Sequence, residues 1–211
     1  RGITLEVPFT RLTYAEASLR FGTDKPDVRF GMEISDLSDV FGQTEFRAFS
    51  ATLEAGGVIR GLNAGEQKLS RSGLDELTTR AKEMGAKGLV SAVVEQDGSL
   101  RSPTAKFLSK PETVAIVERL DGTTGDLLLL VADAASVAAH VLGQLRLDLG
   151  KPAGHDELGF LWVIDFPVFD EVDGGGLAPS HHPFTAPVDL TEMRERPRQA
   201  IAKAYDLVLN G

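Results

Sequence analysis

No cysteine occurs anywhere in the 211 residues, which excludes disulfide scaffolds, thiolate metal sites and cysteine nucleophiles together. Positive charge is in deficit as well: 22 Lys and Arg face 31 Asp and Glu, a formal net charge of −9. A protein that grips nucleic acid with a basic surface over its whole area is thereby excluded, and any RNA contact must be local. Long apolar runs are missing too. The longest, Leu127 to Ala132, is far too short to cross a bilayer, and the N-terminus lacks the basic, apolar and small-residue segments of a signal peptide. A soluble, cytoplasmic protein is expected. The chain also lacks an initial methionine, opening at Arg1, and stops at Leu209-Asn210-Gly211 inside a strand-and-turn pattern. It reads as a segment excised from something longer.

What is present is ordinary globular material, 42% hydrophobic and 25% charged, long enough for one large domain or for one domain with a smaller partner. Ile3, Leu5, Val7 and Phe9 alternate with polar residues and predict a half-buried strand. Thr13 is placed to cap a helix over 14–21, with Glu16 completing a capping box. Gly22 to Asp27 then reads as a tightly specified loop, followed by a second helix from Ser35 to about Phe41. Phe46 to Leu53, Gly56-Gly57 and Val58 to Leu62 predict a hairpin. Further on, Leu74, Leu77, Ala81 and Met84 share a helical face that Gly85 ends. Residues 88–95 predict a strand closed by an Asp97-Gly98 turn. A short helix after Pro111, a strand over 126–132 and a helix over 136–149, with Val137, His140, Val141, Gln144 and Leu145 at helical spacing, complete the middle. That order suits an α+β fold, a two-layer α/β sandwich with a largely antiparallel sheet and helices on one face. Lys151-Pro152-Ala153-Gly154 marks a boundary. Beyond it come a buried strand at Phe160 to Pro167, a glycine loop at 173–176 and a closing strand over 205–210.

Four blocks resemble bacterial aspartyl-tRNA synthetase in the order that family has them. They are Pro8-Phe9-Thr10-Arg11-Leu12-Thr13-Tyr14-Ala15-Glu16-Ala17 running on to Gly22-Thr23-Asp24-Lys25-Pro26-Asp27, then Trp162-Val163-Ile164-Asp165-Phe166-Pro167, His181-His182-Pro183-Phe184-Thr185-Ala186-Pro187, and Ala204 to Gly211. Lys87-Gly88-Leu89 and Pro103 to Leu108 resemble the family's inserted GAD module, which is similar to part of the B subunit of the bacterial tRNA-dependent amidotransferase. The resemblance implies three segments. Residues 1–42 and 151–211 would be strips of a class II catalytic domain with an antiparallel sheet. Residues 43–150 would be the GAD insertion, a ferredoxin- or DCoH-like sandwich. For the parent it implies activation of L-aspartate with ATP and Mg2+ and transfer to tRNA(Asp), with tRNA(Asn) left open, in a homodimeric enzyme. The family's motif 2, motif 3 arginine and anticodon-binding barrel have no counterpart here. The segment by itself is therefore expected to be inactive, with no bound cofactor.

By the same resemblance His181 contacts the substrate aspartate, with His182 weaker beside it, and Asp206 belongs to the acidic pair that holds magnesium on ATP. An imidazole or imidazolium N–H suits a carboxylate oxygen, and magnesium takes one or two carboxylates plus phosphate oxygens. No residue is assigned a catalytic role. Against these stand plainer readings: an exposed loop histidine and a surface aspartate. Adjacent histidines do not readily chelate one ion, so a zinc hydrolase built on His181 and His182 is disfavoured. Asp24, Lys25 and Asp27 read as a turn tied by ion pairs, and Asp165 with Asp170 is not taken as an acid/base pair. The glycines at 174–176 lack the Lys-Ser/Thr that a phosphate cradle needs and read as a mobile approach to His181. Lys68, Arg71, Arg80, Lys82, Lys87 and Lys106 read as a solvated face or a modest tRNA-facing patch without interleaved aromatics. The alternative function is a non-catalytic α+β module for tRNA positioning or protein–protein packing.

Overall fold

The computed structural model describes Leu5 and residues 7–150, 157–172 and 175–211. Ile3, the boundary at Lys151 to Gly154, and Asp173 with Gly174 lie outside the described residues. The described residues form two compact units, one within 1–18, 24–29 and 154–211 and the other within 19–23 and 30–153. The expected division at 42/43 thus falls inside the second unit.

In chain order the elements are β1 (Thr10–Thr13), α1 (Tyr14–Phe21), β2 (Ile34–Asp36), α2 (Arg47–Glu54), β3 (Val58–Glu66), α3 (Arg71–Glu83), β4 (Val90–Val94), β5 (Leu100–Arg101), α4 (Lys110–Arg119), β6 (Asp126–Asp133), α5 (Ala135–Leu149), β7 (Phe160–Ile164), β8 (Phe169–Val172), β9 (Gly176–Pro179), α6 (Leu190–Glu195) and β10 (Asp206–Leu209). The expected capping box holds: Thr13 N–H donates to Glu16 Oε2 at 2.8 Å, and Glu16 N–H donates back to Thr13 Oγ1 at 3.1 Å. Three local expectations do not hold. The first strand is Thr10–Thr13, and Leu5 and Val7 are exposed. Here pairing with β7 selects the strand, and Phe9 just before it stacks on Phe160 with ring centroids 4.9 Å apart. Residues 34–36 form a strand rather than the start of a helix, because Ile34 pairs with Leu62. The first arm of the expected hairpin is helix α2, whose Phe49 and Thr52 are buried one turn apart.

The larger unit is built on a sheet of order β2-β3-β6-β4-β5, antiparallel throughout. Central strand β6 is apolar at every position from Leu127 to Val131, and both of its faces are covered. Leu127, Leu129 and Val131 pack with Ala81 of α3 and with Ala138, Val141, Leu142 and Leu145 of α5. Leu128 and Leu130 pack with Phe49 of α2, with Ile116 of α4 and with Leu120, which caps that helix. The α+β class and antiparallel sheet are as expected. A second helical layer is added to the anticipated one, and it explains why β6 reads as a continuous apolar run rather than an alternating one. On α5 the buried stripe is Ala138, Val141, Leu142 and Leu145, while His140 is exposed.

In the smaller unit three distant strands meet in the order β1-β7-β10. β1 runs parallel to β7 and β10 antiparallel to it. One face buries Leu12, Leu161, Val163 and Val208. The other carries Arg11, Trp162 and Leu207, which share one register position across the three strands. The hairpin β8–β9 and the bridges Pro167–Ile201 and Pro187–Ala202 complete it.

Candidate functional site

Outer segments nearly 150 residues apart in sequence supply neighbouring strands, so β7 is the natural frame for the site. Past its end, Phe166 is fully buried and offers its ring to two others. Tyr14 lies 5.3 Å away, tilted by 49°, and His181 lies 4.6 Å away, edge-on at 82°. His181 follows β9, and Ser180 before it is fixed at both ends: its N–H donates to Val168 O at 3.0 Å and its hydroxyl to Asp170 Oδ2 at 2.8 Å. Of the glycine approach, Gly176 opens β9, and Asp173 with Gly174 lies outside the described residues. Burial, with Asp170 nearby, pushes the Tyr14 phenol above its ordinary value, so it stays a neutral hydrogen-bond donor around neutral pH.

His182 behaves differently from its neighbour. Its ring turns toward Phe184 at 5.0 Å, and its Nδ1 accepts from Phe184 N–H at 3.3 Å. That is a loop-ordering contact. Asp206 opens β10 opposite Val163 and is half-buried on the face shared with Val208. Both His181 and Asp206 therefore hang from the end of β7, through Phe166 and Val163 respectively. Among the described residues no group of three His, Cys, Asp or Glu is placed to hold a metal ion. Asp206 offers one hard oxygen ligand, which fits an ion carried mainly by phosphate oxygens and water but makes no site alone.

Asp27 is buried and paired with Arg29 at 2.6 Å, in line with a structural turn at 24–27. Gly211, at φ +89°, presses close to it, 3.3 Å separating Asp27 Cβ from the position a Gly211 Cβ would take. Asn210, also in the left-handed region at φ 58°, accepts from Gly159 N–H at 2.8 Å and donates to Glu157 O at 3.3 Å, closing the end of β10 on the start of β7. Sequence reading missed this role and also a cleft of about 340 Å3 lined by Arg11, Trp162, Ile164 and Tyr205. Trp162 and Tyr205 meet edge-on at 5.6 Å. The strand alternation of Arg11 and Trp162 was the available signal, but only the register shows that they share a face. That face is opposite the one carrying Asp206.

The GAD domain family model matches residues 49–142, inside the larger unit. Relatives cover the remainder as well. The aspartate–tRNA(Asp/Asn) ligase of Caldanaerobacter subterraneus subsp. tengcongensis is 46% identical over 217 residues, 99% of this chain and 36% of that protein. The aspartate–tRNA ligase of Shouchella clausii is 47% identical over 219 residues, 100% of this chain and 37% of its own length. For the aspartate–tRNA(Asp/Asn) ligase of Symbiobacterium thermophilum the figures are 47% over 224 residues, 100% and 38%. Along its whole length the chain is similar to a segment of these aspartate–tRNA ligases, and it spans little more than a third of their length.

Proposed function

We propose that the chain supplies part of the amino-acid pocket of an ATP-dependent ligase that activates L-aspartate and transfers it to tRNA(Asp). The observation that carries this reading is the union of β1, β7 and β10 in one sheet, with His181 and Asp206 at one end of its central strand. In this reading residues 1–18, 24–29 and 154–211 belong to the catalytic body and the larger unit is its GAD insertion. His181 presents a ring N–H to the aspartate carboxylate while the Phe166 ring fixes the imidazole plane. His182 holds the loop in shape. Asp206 would offer a carboxylate oxygen to Mg2+ bound with ATP, and the ion would supply neutralisation of the phosphate charge. The names of two of the relatives just described favour tRNA(Asn) as a second acceptor, and a homodimeric, cytoplasmic parent completes the proposal.

Aspartate-dependent exchange of pyrophosphate into ATP tests it. The longer protein containing this segment is expected to catalyse exchange with aspartate and not with glutamate, and residues 1–211 alone are expected to remain at background. Exchange that does not depend on aspartate in the longer protein would overturn the assignment. The reading of the larger unit as a packing or RNA-positioning module is compatible with it, since the two units carry different residues.

A further inference from the structure

The chain has two asparagines, Asn63 followed by Ala64 and Asn210 followed by Gly211. They differ in chemistry. An asparagine side-chain amide is open to attack by the main-chain nitrogen of the next residue, and glycine, with no Cβ, presents that nitrogen with the least obstruction. In the attack the nitrogen of Gly211 bonds to Cγ of Asn210 and gives up its proton, the Cγ–Nδ2 bond breaks, and Nδ2 leaves as ammonia. Water then opens the five-membered imide. Opening at the side-chain carbonyl leaves aspartate, and opening at the main-chain carbonyl leaves isoaspartate, whose backbone runs through the side-chain methylene. Either route takes up one water, releases one ammonia and needs no oxidant.

The fold opposes this attack at several points. Both ends of the Asn210 amide are engaged: Oδ1 accepts from Gly159 N–H at 2.8 Å, and Nδ2 donates to Glu157 O at 3.3 Å. Its main-chain N–H donates to Gly159 O at 3.1 Å, so one residue is tied to the start of β7 by side chain and backbone together. Asn210 stands at φ 58°, where a residue with a Cβ settles at positive ψ. Ring closure instead requires the Gly211 nitrogen to eclipse Cβ about the Cα–C bond, which tetrahedral geometry places at negative ψ. Gly211 is hemmed in as well, at φ +89° and close against Asp27, a buried residue paired with Arg29. The reacting atoms meet only after these contacts part.

We propose that Asn210-Gly211 is a deamidation site held shut by the fold, reacting when the end of β10 leaves β7 and yielding a product that does not re-form the contact. A carboxylate at this position still accepts from Gly159 N–H, but it sets an anionic oxygen against the Glu157 carbonyl where a donor stood. Isoaspartate adds a carbon to the main chain and shifts everything on one side of it. Asp206 lies on the same strand, so conversion at Asn210 removes the support of a candidate site residue. None of this depends on the ligase reading.

Peptide mapping by mass spectrometry of the longer protein, incubated at mildly alkaline pH either folded or in guanidinium chloride, tests the proposal. Conversion at Asn210 is expected to be about tenfold or more faster in denaturant, as for a site that reacts only from an opened state. In denaturant Asn210 should also outpace Asn63. Equal rates at Asn210 in the two states, faster conversion in the folded protein, or no conversion in denaturant would each overturn the proposal. Asn210→Asp reproduces one product. It is expected to melt below the parent at neutral pH, with the deficit shrinking as the pH falls through the carboxyl range, because a protonated carboxyl donates to Glu157 O as the amide does. Melting equal to the parent at neutral pH would show that the contact re-forms, and would overturn the proposal too. The rate comparison decides alone where the variant does not fold.

Discussion

Arg146 is a charged residue in the last turn of α5, yet it is 1% exposed. Its guanidinium lies 4.9 Å from the Phe21 ring centre and 4.2 Å from that of Phe30, and donates to Phe30 O at 2.8 Å and Gly31 O at 3.0 Å. Nothing near position 146 in the sequence announces this, because the partners are more than a hundred residues away. Arg146→Met keeps the stem and removes the donors, and is expected to cost about 2–4 kcal/mol in urea denaturation by leaving two carbonyls without a donor. Ser109 and Glu112 form a capping box at the start of α4. Glu112 N–H donates to Ser109 Oγ at 3.4 Å, and Ser109 N–H donates to Glu112 Oε2 at 2.6 Å. Ser109→Ala should cost about 1 kcal/mol. Burial pushes the Glu112 carboxyl up, but hydrogen bonds from Thr44 and Ser109 outweigh it, leaving the folded pKa below the ordinary value. A depressed carboxyl stabilises the fold above its unfolded pKa of about 4.3, and that contribution is lost as the pH falls through the folded value. Glu112→Gln should thus be less stable than the parent at pH 7, with the gap closing below about pH 4. A gap that widens on acidification would contradict the sign.

Among the elements, those with a strong period and clear ends were legible: α1, α3, α5, β4 and β6 all lie within a few residues of their sequence positions. Helix α2 was not, since Phe46, Ala48, Phe49, Ala51 and Leu53 satisfy both a two-residue and a helical period. Burial of Phe49 and Thr52 together decides for the helix. Strand β2 is three residues long, and so short a strand is specified by its partner β3 rather than by its own sequence. The junction beside α5 depends on two glycines. Gly22 stands at φ +72°, and a Cβ on Gly143 would lie 2.8 Å from Phe21 O and 3.1 Å from Gly22 Cα. Gly143→Ala, ordinarily favourable in a helix, is expected to destabilise by about 1–3 kcal/mol through overpacking. An unchanged or raised melting temperature would show that the segment yields.

On the scale of the whole molecule, residues 19–23 and 30–42 join the larger unit through packing and strand pairing that the sequence does not display. His181, His182 and Asp206 are candidates through motif resemblance alone; His181 packs on Phe166, Asp206 pairs opposite Val163 and His182 turns to Phe184. The aromatic cleft was invisible because it joins residues from separate segments. In the longer ligase proposed above, the kinetics of His181→Ala test the central claim most directly. The apparent KM for aspartate is expected to rise about tenfold or more, as for loss of a charge-assisted hydrogen bond, with the KM for ATP nearly unchanged. An unaltered aspartate KM, or an equal rise for both substrates, would contradict the placing of His181 in an aspartate pocket.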